Sequence, residues 1–552
     1  MNVPVLTRTS GRWWALGAVM LAVLAVGLDA TVLSVALPTL ASKLHAGESD
    51  LQWFSSGYLL VLAAAMLPAG LLGDRFGRKR VMLVALLLFG LASAACAISQ
   101  TPGEFIAARV ALGVAGAPLI VMAISSLAVL FTPEERPRAL GIWASVNFIS
   151  FPIGPIVGGY ILSHAWWGWV FLMNVPVALL GLVAVVALVP ESKASQRPGL
   201  DPAGVGLSSA GLVGITYGLI QAGQDGWTSG TAIGPMLAGL VLLLVFFRWE
   251  LALTRRPEGQ PLVDLGLFRS RSFTWGVVLM ALSGVVMVGV LFTLPQYLQG
   301  IVGVDPMGSG VRLLPVVGGL ILGAFPATVV IRRVGPKLVM SLGFVILGLT
   351  ELWAASTTLS SGAGATAAWM AVGGFGLGMV FAPSASVALA QIDAERSGVA
   401  SGVLQALNKM GGPLGAAVFG SALSSVYQAQ LPLAGLPASL STVMKTGLTQ
   451  GLAVAHHLGS ATLLHGVQSA FVQGMDAAFL VSAGIAGLGV VLTLAFMPLR
   501  VPALAPATTA AAPRPIPAAS GAAVPEGAQS TPSRPSPAGT ARITSAAAER
   551  AE

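Results

Sequence analysis

The chain has 552 residues, of which 55% are hydrophobic and only 9% are charged, whereas soluble domains carry roughly 25% charged residues. This composition excludes a soluble enzyme, because a water-exposed surface cannot be so poor in charge, and it excludes a disordered chain, which needs low hydrophobicity. The single cysteine, Cys96, permits neither an internal disulfide nor a cysteine-based metal site. We therefore expect an all-α polytopic membrane protein.

Fourteen apolar stretches are long enough to cross a bilayer as helices, which takes about 20 residues each. A β-barrel would instead show alternating segments of about 10 residues. Span 1 follows two arginines like a signal peptide, but its apolar run is too long and no cleavage site follows it, so we expect a retained helix. Spans 1 to 14 lie near residues 14–36, 52–72, 81–99, 105–130, 138–162, 168–189, 203–222, 231–248, 273–298, 308–331, 338–357, 366–388, 398–424 and 476–498.

Lysine and arginine are distributed very unevenly between the loops. If the N-terminus is cytoplasmic, 24 of the 29 basic residues lie on the cytoplasmic side, and only Lys43 and Lys445 lie outside. Three more fall within spans: Arg109, Arg312 and Lys409. This is the positive-inside asymmetry of a correct topology. The net charge of +8 therefore reports topology rather than nucleic-acid binding, and we expect both termini in the cytoplasm.

Two sequence features recur eight spans apart. Gly77, between spans 2 and 3, aligns with Gly335, between spans 10 and 11. The Gly154-Pro155 pair of span 5 has a counterpart in Gly412-Pro413 of span 13. Repeated halves with a site between them are typical of secondary transporters. The offset predicts a parallel repeat of two six-helix units.

The repeat predicts the domain organisation. Residues 1–195 form the N-terminal six-helix bundle, residues 196–262 contain the inserted spans 7 and 8, and residues 263–500 form the C-terminal six-helix bundle. Residues 501–552 are rich in Ala, Pro, Ser and Thr, and we expect a disordered cytoplasmic tail. The outer loop at 425–475 holds three of the five histidines, but no carboxylate or cysteine spacing supports a metal site, so we expect a surface loop.

Several motifs resemble those of one transporter family. The segment from Gly70 to Arg80, Gly-Leu-Leu-Gly-Asp-Arg-Phe-Gly-Arg-Lys-Arg, matches the signature loop of the major facilitator superfamily. Other motifs resemble those of its 14-helix drug:proton antiporters (EmrB/QacA-like), and they lie at Leu28–Pro38, Gly154–Gly159, Trp169–Pro176 and Leu313–Pro315. The resemblance covers about residues 13–500 and is specific for the family rather than for a substrate.

The resemblance implies a function. The protein is expected to export lipophilic or cationic drugs or antibiotics across the bacterial cytoplasmic membrane by alternating access, in exchange for protons. The alternative is export of an endogenous metabolite or self-made antibiotic by the same mechanism. The span-5 motif argues against symport, and the absence of a P-loop motif argues against an ATP-driven pump. We expect no enzymatic activity, cofactor, metal or nucleic-acid partner. The expected partners are a small lipophilic substrate, protons and the lipid bilayer, and the chain is expected to be a monomer.

Four charged residues within spans are candidates for proton coupling: Asp29, Arg109, Arg312 and Glu351. A carboxyl inside an apolar stretch is costly to ionise, so Asp29 can bind and release a proton as its exposure alternates. Arg109 lies at a similar depth, and an ion pair between the two is expected. Arg312 and Glu351 form a second predicted pair near the outer surface, with a static structural pair as the alternative. Lys409 could meet Glu351, line an aqueous path, or follow a family pattern.

By resemblance, two motifs have mechanical roles. The motif between spans 2 and 3 is expected to latch the two halves together on the cytoplasmic side, or simply to set the membrane topology. It comprises Gly70, Asp74, Arg75, Gly77, Arg78 and Lys79. The other is expected to form a dry seal against proton leak in span 5, because small residues let helices approach closely and proline removes a helix hydrogen bond. It comprises Gly154, Pro155, Gly158 and Gly159. Ordinary glycine packing is the alternative.

No motif identifies the substrate contacts. Aromatic and amide side chains could supply them, although aromatics near span ends more often anchor helices at the membrane interface. The candidates are Trp53, Phe54, Tyr58, Trp143, Asn147, Phe148, Gln296 and Tyr297.

Overall fold

The computed structural model describes residues 9–132, 135–193, 201–256, 261–263, 265–390 and 397–499. In these ranges the regular structure is helical, with one short 3-10 turn at Leu265–Arg269. The predicted tail and the predicted domain boundary at 195/196 lie outside the described residues. The α-helices are α1 Thr9–Lys43, α2 Glu48–Phe76, α3 Arg78–Ile98, α4 Pro102–Leu130, α5 Arg136–His164, α6 Trp169–Leu172, α7 Asn174–Leu188, α8 Pro202–Asp225, α9 Gly230–Thr254, α10 Arg271–Gly300, α11 Pro306–Arg312, α12 Leu314–Val334, α13 Pro336–Ala354, α14 Ala363–Leu389, α15 Ser397–Gln430, α16 Ala438–Lys445, α17 Leu448–His457 and α18 Ala461–Phe496.

The span count agrees with the sequence except at one position. Within the described ranges, 12 helices are long and apolar enough to cross a membrane, or 13 if the bent pair Glu48–Met66 and Pro68–Phe76 is one span. The helix at predicted span 13, α15, has 34 residues but is not among them. It carries Gln405, Asn408 and Lys409 between apolar residues. The count of fourteen is therefore not fully confirmed.

Two predicted spans are each built from a short and a long helix. Span 6 comprises α6 and α7, and span 10 comprises α11 and α12. The short helix α11 is N-capped by Asp305, whose side chain accepts a hydrogen bond from the Gly308 amide at 3.1 Å. Only Leu313 separates α11 from α12, and it keeps a helical backbone conformation (φ −82°, ψ −14°), so the two helices form one span.

The outer loop at 425–475 is more ordered than the sequence predicts. It contains α16 and α17, together with the outer ends of α15 and α18. The buried Tyr427 hydroxyl lies 3.0 Å from both the Met444 and the Gly447 carbonyl oxygens, so it ties α15 to the two short helices. The prediction of a simple surface loop was wrong, because buried side chains such as Met444 hold this segment against the helix ends.

Two large hydrophobic cores occupy the spanning region. The first is formed by side chains from residues 15–189, joined by Phe292, Ala406 and Ala416. The second is formed mainly by side chains from residues 279–497. We refer to α1–α7 as the N-terminal half and to α10–α18 as the C-terminal half. The exposed leucines and valines of α9 provide an apolar surface suited to lipid tails.

The hydrogen bonds that join the two halves cluster near one end of the molecule. That end is the one that the charge distribution assigns to the outside. The bonds run from Ser56 Oγ to Pro413 O at 3.0 Å, from Ser163 Oγ to Asp305 Oδ2 at 2.9 Å, from Gln299 Nε2 to Val35 O at 2.9 Å, and from Glu48 N to Thr446 O at 2.6 Å. The structure is therefore closed toward the predicted outer side.

Candidate functional site

A buried ion pair links α1 and α4. Arg109 Nη1 lies 2.6 Å from Asp29 Oδ2, and both side chains are only 1% exposed. Arg109 Nε also donates to the Phe54 carbonyl oxygen of α2 at 3.2 Å. The structure thus brings together the two residues that their similar depths in spans 1 and 4 predicted to interact. A single guanidinium connects three helices of the N-terminal half.

The second carboxylate oxygen of Asp29 has a partner that sequence reasoning missed. Asn174 Nδ2 lies 3.2 Å from Asp29 Oδ1 and 3.2 Å from Ser93 Oγ. Asn174 is buried at the start of α7, and an amide inside an apolar helix was the signal that could have identified it. Because both oxygens of Asp29 accept hydrogen bonds, this arrangement suits the ionised carboxylate.

The guanidinium also lies over an aromatic ring. Arg109 Cζ is 4.2 Å from the centroid of the Tyr58 ring, a distance at which cation–π attraction is appreciable in a desolvated site. The Tyr58 hydroxyl is buried without a hydrogen-bond partner among the residues described. The Arg109 side chain also borders a cavity between the helices.

A central cavity lies between the two halves. The N-terminal half contributes α1, α2, α4 and α5 to its wall, and the C-terminal half contributes α10 and α15. Arg109 lines the cavity, whereas Asp29 is not among the lining residues. The polar lining includes Thr31, Ser34, Ser55, Asn147, Ser150 and Asn408, and the apolar lining includes Leu33, Leu37, Leu59, Met287, Leu291 and Phe292.

Lys409 also lines this cavity. It reaches a smaller adjoining pocket that it shares with Tyr58 and Asn147 of the N-terminal half. Within the described ranges, no carboxylate lies within ion-pair distance of its ammonium group. Of the three sequence-based alternatives, contact with Glu351 is therefore not observed, and Lys409 lies instead in the wall of the cavity.

The second predicted ion pair is not formed. Glu351 is 4% exposed on α13, beside the Ser482 hydroxyl of α18. Arg312 ends α11 and lines a separate pocket. In the part of the chain that is described, no ion pair joins Arg312 to Glu351. Equal depth in two spans fixes only the level of a side chain and not the direction in which it points around the helix axis.

The predicted latch loop binds within its own half. Arg78 Nη2 lies 2.9 Å from Asp74 Oδ1, and Arg78 Nη1 donates to the Ser125 carbonyl oxygen at 3.3 Å. Gly77 joins α2 directly to α3 with φ of +108°, a conformation that favours glycine. Gly70 packs against Val121 of α4.

Glu191, which follows α7, organises the same loop and was not identified from the sequence. Its Oε1 accepts a hydrogen bond from the Lys79 amide at 3.2 Å, and its Oε2 lies 3.7 Å from Arg80 Nε. The Arg75 side chain is exposed and lies over the Phe76 ring. The partners described for this loop all belong to the N-terminal half, so a latch to the C-terminal half stays a prediction.

The glycine–proline motif of α5 faces two helices at once. Gly154 and Gly158 contact α1, where an added Cβ at Gly158 would lie 3.3 Å from Val32. Gly159 contacts α11, where an added Cβ would lie 2.6 Å from the Pro306 carbonyl oxygen. The Pro155 carbonyl oxygen lies against Gly310 of α11. The motif therefore allows close packing both inside the N-terminal half and across the interface.

The α5–α11 contact also contains hydrogen bonds. The Ser163 hydroxyl donates to Asp305 Oδ2 and accepts a hydrogen bond from the Met307 amide at 3.2 Å. The hydrogen bonds to Asp305, chiefly the one from Ser163, hold the pKa of that carboxyl below its ordinary value. The carboxylate is therefore ionised at neutral pH and supports the closed outer end.

Comparison with known proteins gives a consistent match. Residues 19–416 match the family described as Major Facilitator Superfamily. The chain is 36% identical over 492 residues to the tetracenomycin C resistance and export protein of Streptomyces glaucescens, covering 86% of this chain and 90% of that protein. It is 32% identical over 449 residues to the methyl viologen resistance protein SmvA of Salmonella typhimurium, covering 81% and 90%.

A solved structure shares the fold. A bacterial homologue of the human lysosomal transporter Spinster, in an inward-facing and unoccupied conformation, matches with a TM-score of 0.62 and 16% identity. The match covers 88% of this chain and 98% of that chain.

Proposed function

The chain belongs to the Major Facilitator Superfamily, and we propose that it exports lipophilic drugs or antibiotics across the cell membrane in exchange for protons. It is a multi-pass membrane protein, as its many apolar helices require. Its bacterial relatives are named for drug and antibiotic resistance and export. Efflux is the function that these relatives and the cavity support together.

The proposal of proton coupling is supported by the Asp29–Arg109 ion pair at the wall of the central cavity. A proton on Asp29 removes the carboxylate charge and releases the Arg109 guanidinium, which keeps its bond to the Phe54 carbonyl. The freed cation then faces the cavity. Protonation thus changes the charge and shape of the site in which a substrate binds.

Coupling requires that the protein bind the proton with different affinities in its two access states. The structure has its outer end closed by contacts between α5 and α11 and between α2 and α15. In this state Asp29 is paired on both oxygens. Opening the outer end separates α11 and α15 from the N-terminal half, which exposes the cavity and the Arg109 side chain to the other side. The Gly154–Gly159 motif would seal the path when the outer end is closed.

The second candidate is export of an endogenous metabolite or a self-made antibiotic by the same machinery. The similarity to a Streptomyces protein named for both resistance and export of tetracenomycin C favours it. Both candidates use the same cavity and the same coupling residues.

Purified protein in proteoliposomes with an imposed pH gradient tests the proposal. Internal pH would be followed after adding a panel of lipophilic compounds and polyketide antibiotics, with Asp29→Asn compared with the wild type. Glu104→Gln is the matched control, because it removes a carboxylate at the exposed outer end of the same helix that carries Arg109.

Proton movement that needs both a drug and Asp29 supports antiport coupled at this pair. Drug-dependent proton movement that is unchanged in Asp29→Asn keeps efflux and contradicts the coupling role of Asp29. No proton movement with any compound, in protein shown to be folded, contradicts broad drug export and favours a narrow endogenous substrate.

A further inference from the structure

The charges that line the central cavity all have one sign. Among its described lining residues, the charged side chains are Arg109 and Lys409, and none is a carboxylate. Asp29 neutralises Arg109 through a 2.6 Å contact from outside the cavity wall. Lys409 is left without an ion-pair partner in the ranges that are described. The cavity wall therefore holds one basic side chain without a carboxylate partner.

We propose that the substrate is an amphiphilic anion, with an apolar body and a carboxylate or ionised phenol that pairs with Lys409. This inference rests on the proposed export function and names its substrate class. A cation held in a low-dielectric site is unfavourable unless it is paired. A negative group beside the ammonium group supplies that pairing, whereas an organic cation finds no counter-ion in this wall.

The surroundings of Lys409 provide for the rest of such a ligand. Asn408 precedes it on α15, and Asn147 of α5 shares its smaller pocket, so amide donors flank the position of the anionic group. The lining also contains apolar side chains, including Leu33, Met287 and Phe292. A lining that combines basic and amide groups with apolar side chains suits a ligand with a charged group and a hydrophobic body.

The position of Lys409 also explains how such a ligand engages both halves. Lys409 belongs to α15 of the C-terminal half, yet its pocket is lined by Tyr58 and Asn147 of the N-terminal half. An anion bound at Lys409 therefore contacts both halves at once. A ligand of this kind binds differently before and after the halves move apart, which is the requirement for alternating access.

Binding measurements on the purified full chain test the proposal without a proton gradient. Fluorescein and rhodamine 6G share a xanthene ring system and carry opposite charges, and their fluorescence anisotropy reports binding. The variants are Lys409→Gln, Lys409→Arg and Lys409→Glu. Lys445→Gln is the control, because it removes an exposed lysine on α16.

We expect the wild type to bind fluorescein more tightly than rhodamine 6G. Lys409→Gln should weaken fluorescein binding by about 10- to 100-fold, the usual range for one charged hydrogen bond, and should leave rhodamine 6G unchanged or tighter. Lys409→Arg should retain the anion preference, Lys409→Glu should reverse it, and the control should behave as the wild type.

Three results would overturn the substrate class: tighter binding of the cation by the wild type, equal weakening of both dyes in Lys409→Gln, or binding of neither dye by folded protein. Proton-driven dye uptake into inside-out vesicles is measured separately and tests the export function. Vesicles that take up the cationic dye without regard to Lys409 would refute the anion site and leave export intact. Anion binding without proton-driven uptake would keep the site and refute proton-coupled export.

Discussion

Replacing Asp29 with asparagine leaves a guanidinium buried without a counter-ion. Both members of the pair are 1% exposed and 2.6 Å apart, and removing one partner of such a pair destabilises a fold by about 3–5 kcal/mol. Arg109 keeps its bond to the Phe54 carbonyl and its contact with the Tyr58 ring. We therefore expect a loss at the lower end, about 3 kcal/mol of unfolding free energy.

A double-mutant cycle separates this loss from other effects of the substitution. Asp29→Asn with Arg109→Gln removes both charges at once, so no uncompensated charge stays buried. The double variant should recover at least about 2 kcal/mol relative to Asp29→Asn alone. The partly exposed Arg78–Asp74 pair serves as the control, and breaking it should change stability by about 0–1 kcal/mol.

Unfolding free energy would be measured by denaturant titration in mixed micelles, and internal pH in proteoliposomes would report coupling. The stable double variant should still fail to couple proton movement to drug addition, because it has lost the proton-binding carboxyl. If Asp29→Asn costs less than about 1 kcal/mol, or if the two single losses simply add in the double variant, the pair is not the energetic unit that the structure shows.

Three further changes test other parts of the molecule. Gly159→Ala places a methyl group against the backbone of α11 and should open the outer end, so that a cysteine replacing Ser34 in the cavity reacts several-fold faster with an impermeant thiol reagent added outside. The control Gly103→Ala, where the added methyl has open space, should not change this rate. Equal reaction rates in the two variants would contradict the proposed closure. Glu191→Gln should change unfolding free energy by less than about 1 kcal/mol, because its contacts are partly exposed; a loss above 2 kcal/mol would show that this loop is a buried structural element. Tyr427→Phe removes the donor to two buried carbonyl groups and should lower stability by about 1–2 kcal/mol while making the α16–α17 segment more sensitive to external protease; unchanged proteolysis would argue against its role in fixing the outer loop.

The sequence by itself determined the features that depend on one dimension. Span lengths and the placement of basic residues follow from the thickness of the bilayer and from membrane charge asymmetry, so they can be counted along the chain. Depth in the membrane can be counted in the same way, and it predicted the meeting of Asp29 with Arg109. Local backbone demands were also readable, because the turn at Gly77 needs a conformation that glycine adopts readily.

Tertiary structure decided what depends on direction around a helix axis and on contacts distant in sequence. Arg312 and Glu351 lie at similar predicted depths, yet Arg312 lines a pocket whereas Glu351 is buried beside Ser482 of α18. The roles of Asn174, Glu191 and Lys409 depend on which neighbouring helix each side chain faces. Depth along a span is one coordinate, whereas a binding site needs three, and packing between helices supplies the other two.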